Sequence, residues 1–572
     1  MRKLAIIFVL AAVVLALSGD ASACRWRHRS CWPGCAPHFA PEGCVSNLHD
    51  SGPGSLRAAV QYAEANPGTV IHFSPGLCST INLTSGELDI TQNTVIDGPG
   101  ARRLAVSGMS HSRVFAISSG ATVTISGLTI TGGLADDKAP RFPGLGGGIL
   151  NEGNLTLTGV VVSHNQAAST AKDTISLCGY SLTGAGAGGG VVNLGTVTIS
   201  CSRFEGNEAR GASGSSDSKA GGNTFPGVAS GGGLANVGMA TATVTNCWFT
   251  DNLAQAGNGS KGTGSPTNTD IAGDAAGGAI ASFGFTPLKA DTKNIAKLTV
   301  SGSRFSNNRA IAGNENVSPV LPGHSFGGAI ASHRFNGSAE LNVSDSVFHH
   351  NQSIAGNHNV VTIANDRGQP NSAVAGGVFV CGKGMISRSK FHDNQAIGGQ
   401  GVAGSIGIPI TKNGGNARGG GIGFAFPTTD VTVGNCTVRH NLAIGGQAGA
   451  GGSGGTASGG GVAISAAGPT LTITAGIIDN NQAQGGGGDN SGPWSNGGDG
   501  QGGGAYNVAG SKMTVTAGTI TANWATGGKG KHGGSDGQGI GGGINHLGTF
   551  TVDPATVISK NHASTSNDDV YP

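Results

Sequence analysis

The sequence predicts an all-β fold: a right-handed parallel β-helix with an N-terminal helical cap and long glycine-rich loops. Three observations predict it. Glycine supplies 106 of 572 residues, far above the usual share of about 7 per cent. One motif recurs ten times between residues 146 and 563. The strand text inside that motif (LTLT, TVTIS, TATVT, KLTV, DVTV, LTIT, MTVT) alternates apolar residues with Thr or Ser. Alternation of period two sends one face inward and the other outward. No unit is long enough to bury its own inner face, so units must stack. Identical strands then pair in parallel about 4.8 Å apart, and parallel crossovers are right-handed almost without exception.

Composition excludes the competing classes. Charged residues are 11% and aromatics 5%, too little charge for a solvated disordered chain. Glycine at this density costs about 1 kcal/mol per helical position, which excludes a helical bundle. No strict G-X-Y period exists, which excludes collagen. The net charge of +2 gives no reason to expect nucleic acid as a partner.

Each repeat opens with two or three glycines and an aliphatic residue. A strand follows, then a core residue, two variable positions and an asparagine. The asparagine column is Asn165, Asn207, Asn252, Asn308, Asn351, Asn394, Asn441, Asn481, Asn523 and Asn561. Three residues before each stands Val162, Phe204, Phe249, Phe305, Phe348, Phe391, Val438, Ile478, Ile520 or Ile558. The first column predicts a side-chain amide ladder, the second a core stack. The glycines mark corners where φ is positive or backbones approach closely. Segments such as QGGGGDNSGPWSNGGDGQ at 484–501 have little to bury. They are expected to leave one corner as loops, giving one coil per repeat, with two coils as the rival.

The chain divides into a leader (1–23), a cysteine-rich segment (24–54), a helical cap with the first coils (55–145), the ten-repeat solenoid (146–563) and a tail (564–572). Arg2 and Lys3 precede an apolar run to Leu17 and the triplet Ala21-Ser22-Ala23, the layout of a secretory signal peptide. The run is too short for a comfortable membrane span, so no transmembrane segment is expected. Cys24 becomes the first mature residue, which raises lipid anchoring as an alternative. Export agrees with ten cysteines. Cys24, Cys31, Cys35 and Cys44 are candidates for a disulfide knot, with zinc the less favoured alternative because no CxxC pair occurs. The stretch 55–65 puts Leu56, Ala59, Val60 and Ala63 on one helical face and stops at Asn66-Pro67-Gly68; it is expected to cap the open end.

SLRAAVQYAEANPGTVIHF, TINLTSGELDITQNTVIDGPGARRLAVSG and RVFAISSGATVTISGLTITGG resemble the N-terminal part of bacterial exported β-helix proteins of the pectin-lyase-like superfamily. The Gly-Gly-x-Ile and Phe-x-x-Asn repeats are similar to those of the polymorphic outer-membrane proteins of chlamydiae. The resemblance spans about residues 45–563 and rests on structural positions. It implies the fold, and a surface or secreted protein that is adhesive, structural or active on polysaccharides. Of the hydrolase signatures of the family, Gly-x-Asp-Asp, Gly-His-Gly and Arg-Ile-Lys do not occur, and Asn-Thr-Asp occurs once, at 268–270, without the others.

One outward constellation stands apart. The two variable positions read His349-His350, His392-Asp393, Arg439-His440 and Asp479-Asn480 in four consecutive repeats. Stacked one coil per repeat, they form two columns at ligand or acid–base spacing. An ordinary solvated corner is the competing explanation. Trp494, Trp524 and Tyr506 are further candidates for stacking on sugars. The expectation is a non-enzymatic secreted or cell-surface β-helix, adhesive or structural, with its glycine-rich loops in contact with polysaccharide or matrix. A polysaccharide lyase or glycoside hydrolase on the same scaffold is the alternative. No cofactor or metal is expected, and oligomeric state is left open.

Overall fold

A computed structural model describes residues 43–177, 180–216, 224–262, 271–285, 295–319, 321–335, 338–362, 370–402, 412–490 and 494–572. The leader and three of the four N-terminal cysteines, Cys24, Cys31 and Cys35, lie outside these residues; Cys44 lies in the first strand, Cys44–Val45.

The protein is a right-handed parallel β-helix. One coil holds five strand positions, seen at residues 186–210: β1 (Gly186–Ala187), β2 (Val191–Asn193), β3 (Thr196–Ser200), β4 (Arg203–Glu205) and β5 (Glu208–Arg210). Each position pairs in parallel with its counterparts one coil away. The resulting sheets have nine, thirteen, fourteen, thirteen and eleven strands. Asn193 pairs with Asn151 on one side and Asn236 on the other, so one repeat makes one coil. Helix α1 (Leu56–Ala65) packs its buried Leu56, Ala59, Val60 and Ala63 on the first strands, with Ser55 Oγ accepting from the Ala58 amide as N-cap.

Side-chain size falls steadily across the coil. Between β2, β3 and β4 the interior is wide and takes large residues such as Val191, Val197, Ile199 and Phe204. Where β5 of one pass meets β1 of the next, the arms close and only small residues fit, mostly alanine: Ala396, Ala417, Ala443, Ala457 and Ala483 form one such cluster. Further out the arms touch backbone to backbone. There the expected glycine-rich loops leave the corner as arms that bond to one another. The amide of Gly446 donates to the Gly415 carbonyl, Gly455 to Gly446, Gly486 to Gly455, Gly498 to Gly486 and Gly528 to Gly498, each at 2.8 Å. The glycine-rich arms are therefore a hydrogen-bonded layer with no side chains. The reason is separation, since arms this close leave no volume for a Cβ.

The phenylalanine column stacks face to face. Successive ring centroids of Phe204, Phe249, Phe305, Phe348 and Phe391 are 4.6, 5.0, 4.7 and 4.7 Å apart. Replacing Phe305 by leucine keeps the site apolar and removes two stacked pairs. The expected loss is about 1–3 kcal/mol, read from the midpoint of urea unfolding; an unchanged midpoint would show that the stacking is incidental.

Two scattered cysteines acquire an explanation. Ser202, Cys247, Ser303, Ser346, Ser389 and Cys436 occupy one column at the β3–β4 corner, where the hydroxyl donates to a carbonyl two residues back (Ser202 Oγ to Ser200 O, 2.7 Å). Cys247 and Cys436 make the same bond with sulfur, at 3.2 and 3.3 Å. Burial pushes their thiols up to about 12 and about 11, so both sit as inert core thiols.

Candidate functional site

The asparagine column is hydrogen-bonded throughout. Asn351 Nδ2 donates to Asn394 Oδ1 at 2.9 Å, and Asn394 Nδ2 donates to Asn441 Oδ1 at 2.9 Å. Each amide also reaches back to a core-column carbonyl, as Asn394 does to Phe348 at 3.0 Å. A second ladder, Asn151–Asn193–Asn236, runs along β2 at 2.6 and 2.8 Å. Sequence reasoning missed it, although Asn ends ILN and VVN at the same place in successive repeats.

The two outward columns fall on different structures. His349, His392, Arg439 and Asp479 are direct register partners on successive β4 strands. The His349 and His392 rings stack 5.2 Å apart and 5° from parallel. Arg439 holds Asp479 with two bonds, at 3.1 and 2.8 Å. The second column, His350, Asp393, His440 and Asn480, sits at the corner that follows β4. His350 Nδ1 lies 3.1 Å from His349 Nδ1, and His392 Nδ1 lies 2.9 Å from Asp393 Oδ2. His349 is held below the ordinary histidine range, first by burial and then by the charges of His392 and His350; near neutral pH the stack is uncharged at that end.

The corner itself accounts for much of the second column. His164, Gly206, Asp251, Asn307, His350, Asp393, His440, Asn480, Ala522 and Lys560 all have φ between 53° and 59°. Left-handed backbone favours Gly, Asn, Asp and His, and eight of these ten are of those types. Histidine and aspartate at this corner thus follow from backbone geometry. His349 and His392 do not, because β4 is ordinary strand. Among the described residues no group of three or more His, Cys, Asp or Glu is placed to hold a metal ion.

Other aromatic residues separate by exposure. Trp248 is 39%, Trp494 75% and Trp524 51% exposed. Trp248 lies on β4, with the Arg203 guanidinium 4.5 Å from its ring centroid. Trp524 meets His562 edge to face at 4.8 Å. Tyr506, by contrast, is buried. Among the described residues no helix is long and apolar enough to cross a membrane.

No family model matches the chain, and no curated protein matches it by sequence. Solved structures similar in fold include the catalytic domain of GH87 alpha-1,3-glucanase in complex with nigerose, at 10% identity and a TM-score of 0.32. That match covers 92% of this chain and 71% of the other. The Agl-KA catalytic domain is 12% identical with a TM-score of 0.31, covering 79% and 67%. Bacteriophage CBA120 tailspike protein 3 is 9% identical with a TM-score of 0.32, covering 90% and 60%. Likeness at this level transfers no residue role.

Proposed function

We propose that this chain is an exported β-helix of the pectin-lyase-like kind whose β4 face binds a polysaccharide. The observation that carries the proposal is the row of aromatic and cationic side chains on that face. Arg203, Trp248 and Arg304 are successive register partners in one column, and His349, His392 and Arg439 in the other. Flat rings offer faces to sugars, and the flanking donors offer hydrogen bonds to hydroxyls. The leader at 1–23 supports secretion, and a lipid at Cys24 remains the alternative means of attachment. Adhesion is the role that binding without chemistry would serve.

A second reading, cleavage of the bound chain by a hydrolase or lyase, rests on the His392–Asp393 pair. A carboxylate on Nδ1 orients an imidazole for general acid–base work at Nε2. Both readings are tested on purified protein with insoluble and soluble polysaccharides. Binding is expected, with Trp248→Ala weakening it about tenfold, the size of a binding hot spot. No binding to any glycan, or binding indifferent to Trp248, would overturn the first reading. New reducing ends, lost in a His392→Ala/Asp393→Asn double variant, would establish the second; their absence from every substrate would end it.

A further inference from the structure

The corner between β1 and β2 is concave, and the outward side chains of the two strands meet across it. Val374 of β1 lies against Gly423 of β2 in the next coil, where a Cβ would stand 2.8 Å from Val374 Cγ1. Through the first half of the rod this groove is filled with apolar side chains, among them Leu150, Val192, Phe225, Val374 and Phe379. Beyond Phe379 its character changes. The β1 column continues as Arg418, Ser458 and Gln501, and the β2 column as Gly423, Ala463, Tyr506 and Asn545. Glycine and alanine leave the floor low, and polar side chains stand around it.

These polar groups are not satisfied by the protein. Tyr506 is buried, and the one described group that bears on its phenol is Arg418, through charge alone. Arg418 is part-buried, and its guanidinium makes neither a hydrogen bond nor an ion pair with any described residue. Ser458 is buried and Gln501 part-buried, and neither makes a side-chain hydrogen bond with a described residue. Asn545 is buried with its Oδ1 unpartnered among the described residues. Buried polar side chains are ordinarily paired. Asn545 Oδ1 is the one atom of this set closed off from solvent with no partner among the described residues; Arg418, Ser458, Tyr506 and Gln501 line the same groove over rungs spaced about 4.8 Å, and their polar atoms are free to bond something that enters from outside.

The donor inventory indicates what enters. Arg418 offers five N–H donors and no acceptor, and Ser458, Tyr506 and Gln501 add further donors. Such a set suits a group made of acceptor oxygens and carrying negative charge. Arginine pairs with tetrahedral oxyanions through two parallel bonds. The phenol and amides then face the hydroxyl-bearing body to which the anion is attached. We infer that the groove beside Arg418 and Tyr506 binds a sugar bearing a sulfate or phosphate ester. This site is separate from the β4 face and stands whether or not that face binds glycan.

The test is calorimetric titration of the full mature chain with glucose 6-sulfate, glucose 6-phosphate, glucuronate and glucose. One or both esters are expected to bind, at least tenfold more tightly than glucuronate, with no heat from glucose. Which ester wins identifies the anion. Arg418→Gln is expected to raise that Kd tenfold or more, with Arg418→Lys recovering part of it. Asn342→Ala, on β3 away from the groove, is expected to change nothing. Unfolding midpoints establish that the variants fold, and Gln501→Ala replaces Arg418→Gln if that variant does not. Absence of ester binding, equal affinity for glucuronate, or an Arg418→Gln variant that binds like the parent would each overturn the inference.

Discussion

Replacing Asn394 by alanine is expected to destabilise the middle of the rod by about 5–7 kcal/mol. The side chain is fully buried and takes part in four hydrogen bonds. Its Nδ2 donates to Asn441 Oδ1 and to the Phe348 carbonyl. Its Oδ1 accepts from the backbone amide of Asn351 at 3.1 Å and from Asn351 Nδ2 at 2.9 Å. Alanine removes all four. Asn351 Nδ2 retains the Phe305 carbonyl at 3.0 Å, but the Asn351 backbone amide loses its ladder partner in a site water does not reach. Each bond contributes about 1 kcal/mol, and a buried orphan costs about 1–3 more. Because solenoid coils interact with nearest neighbours, the effect should be local. Hydrogen exchange should quicken most in the coils holding Asn351, Asn394 and Asn441, while the helical-cap end stays protected. A loss below about 1 kcal/mol, or uniform exchange along the rod, would remove the ladder from the list of stabilising devices.

Gly446→Ala is expected to break the side-chain-free layer, although it adds a single methyl. A Cβ at this position would lie on the carbonyl oxygen of Gly399 in the preceding coil. That obstacle is backbone, which cannot rotate away as a side chain does. The arm must therefore lift off, and its bonds to Gly415 and Gly455 go with it. Gly434→Ala is the control, because a Cβ there meets nothing within 4 Å; surface substitutions of that kind stay within about 0.5 kcal/mol. The readout is limited proteolysis. Gly446→Ala should open new cleavage in the arms around 445–455, while Gly434→Ala should cut like the parent. Equal resistance of both variants would mean that the arms are held by something other than their own close approach.

These two expectations show how differently the sequence carries its information. The asparagine ladder and the phenylalanine stack were legible because each repeats in a fixed frame, and a stack in every coil has to be structural. The glycine-rich segments were legible only as an absence of side chains. Absence in sequence is the same for a loose loop and for a layer packed too tightly to admit a Cβ. The β1–β2 groove was not legible at all. Arg418, Ser458, Gln501 and Tyr506 come from different repeats, and they look like isolated polar residues until register sets them side by side. Similarly, His350, Asp393 and His440 looked like chemistry in sequence, whereas much of their identity is explained by left-handed corners.

What the sequence alone determined is therefore what recurs: strands of period two, a core column, an amide ladder, and glycine where the chain turns. Recurrence suffices there because every coil solves the same packing problem with the same residue. What only the tertiary structure decided is whatever depends on distance between columns. The narrowing from phenylalanine to alanine to glycine follows how far apart two arms lie, and the polar groove exists because two strands face each other across a concave corner. Neither separation nor facing is a property of any one repeat, so neither can be read along the chain.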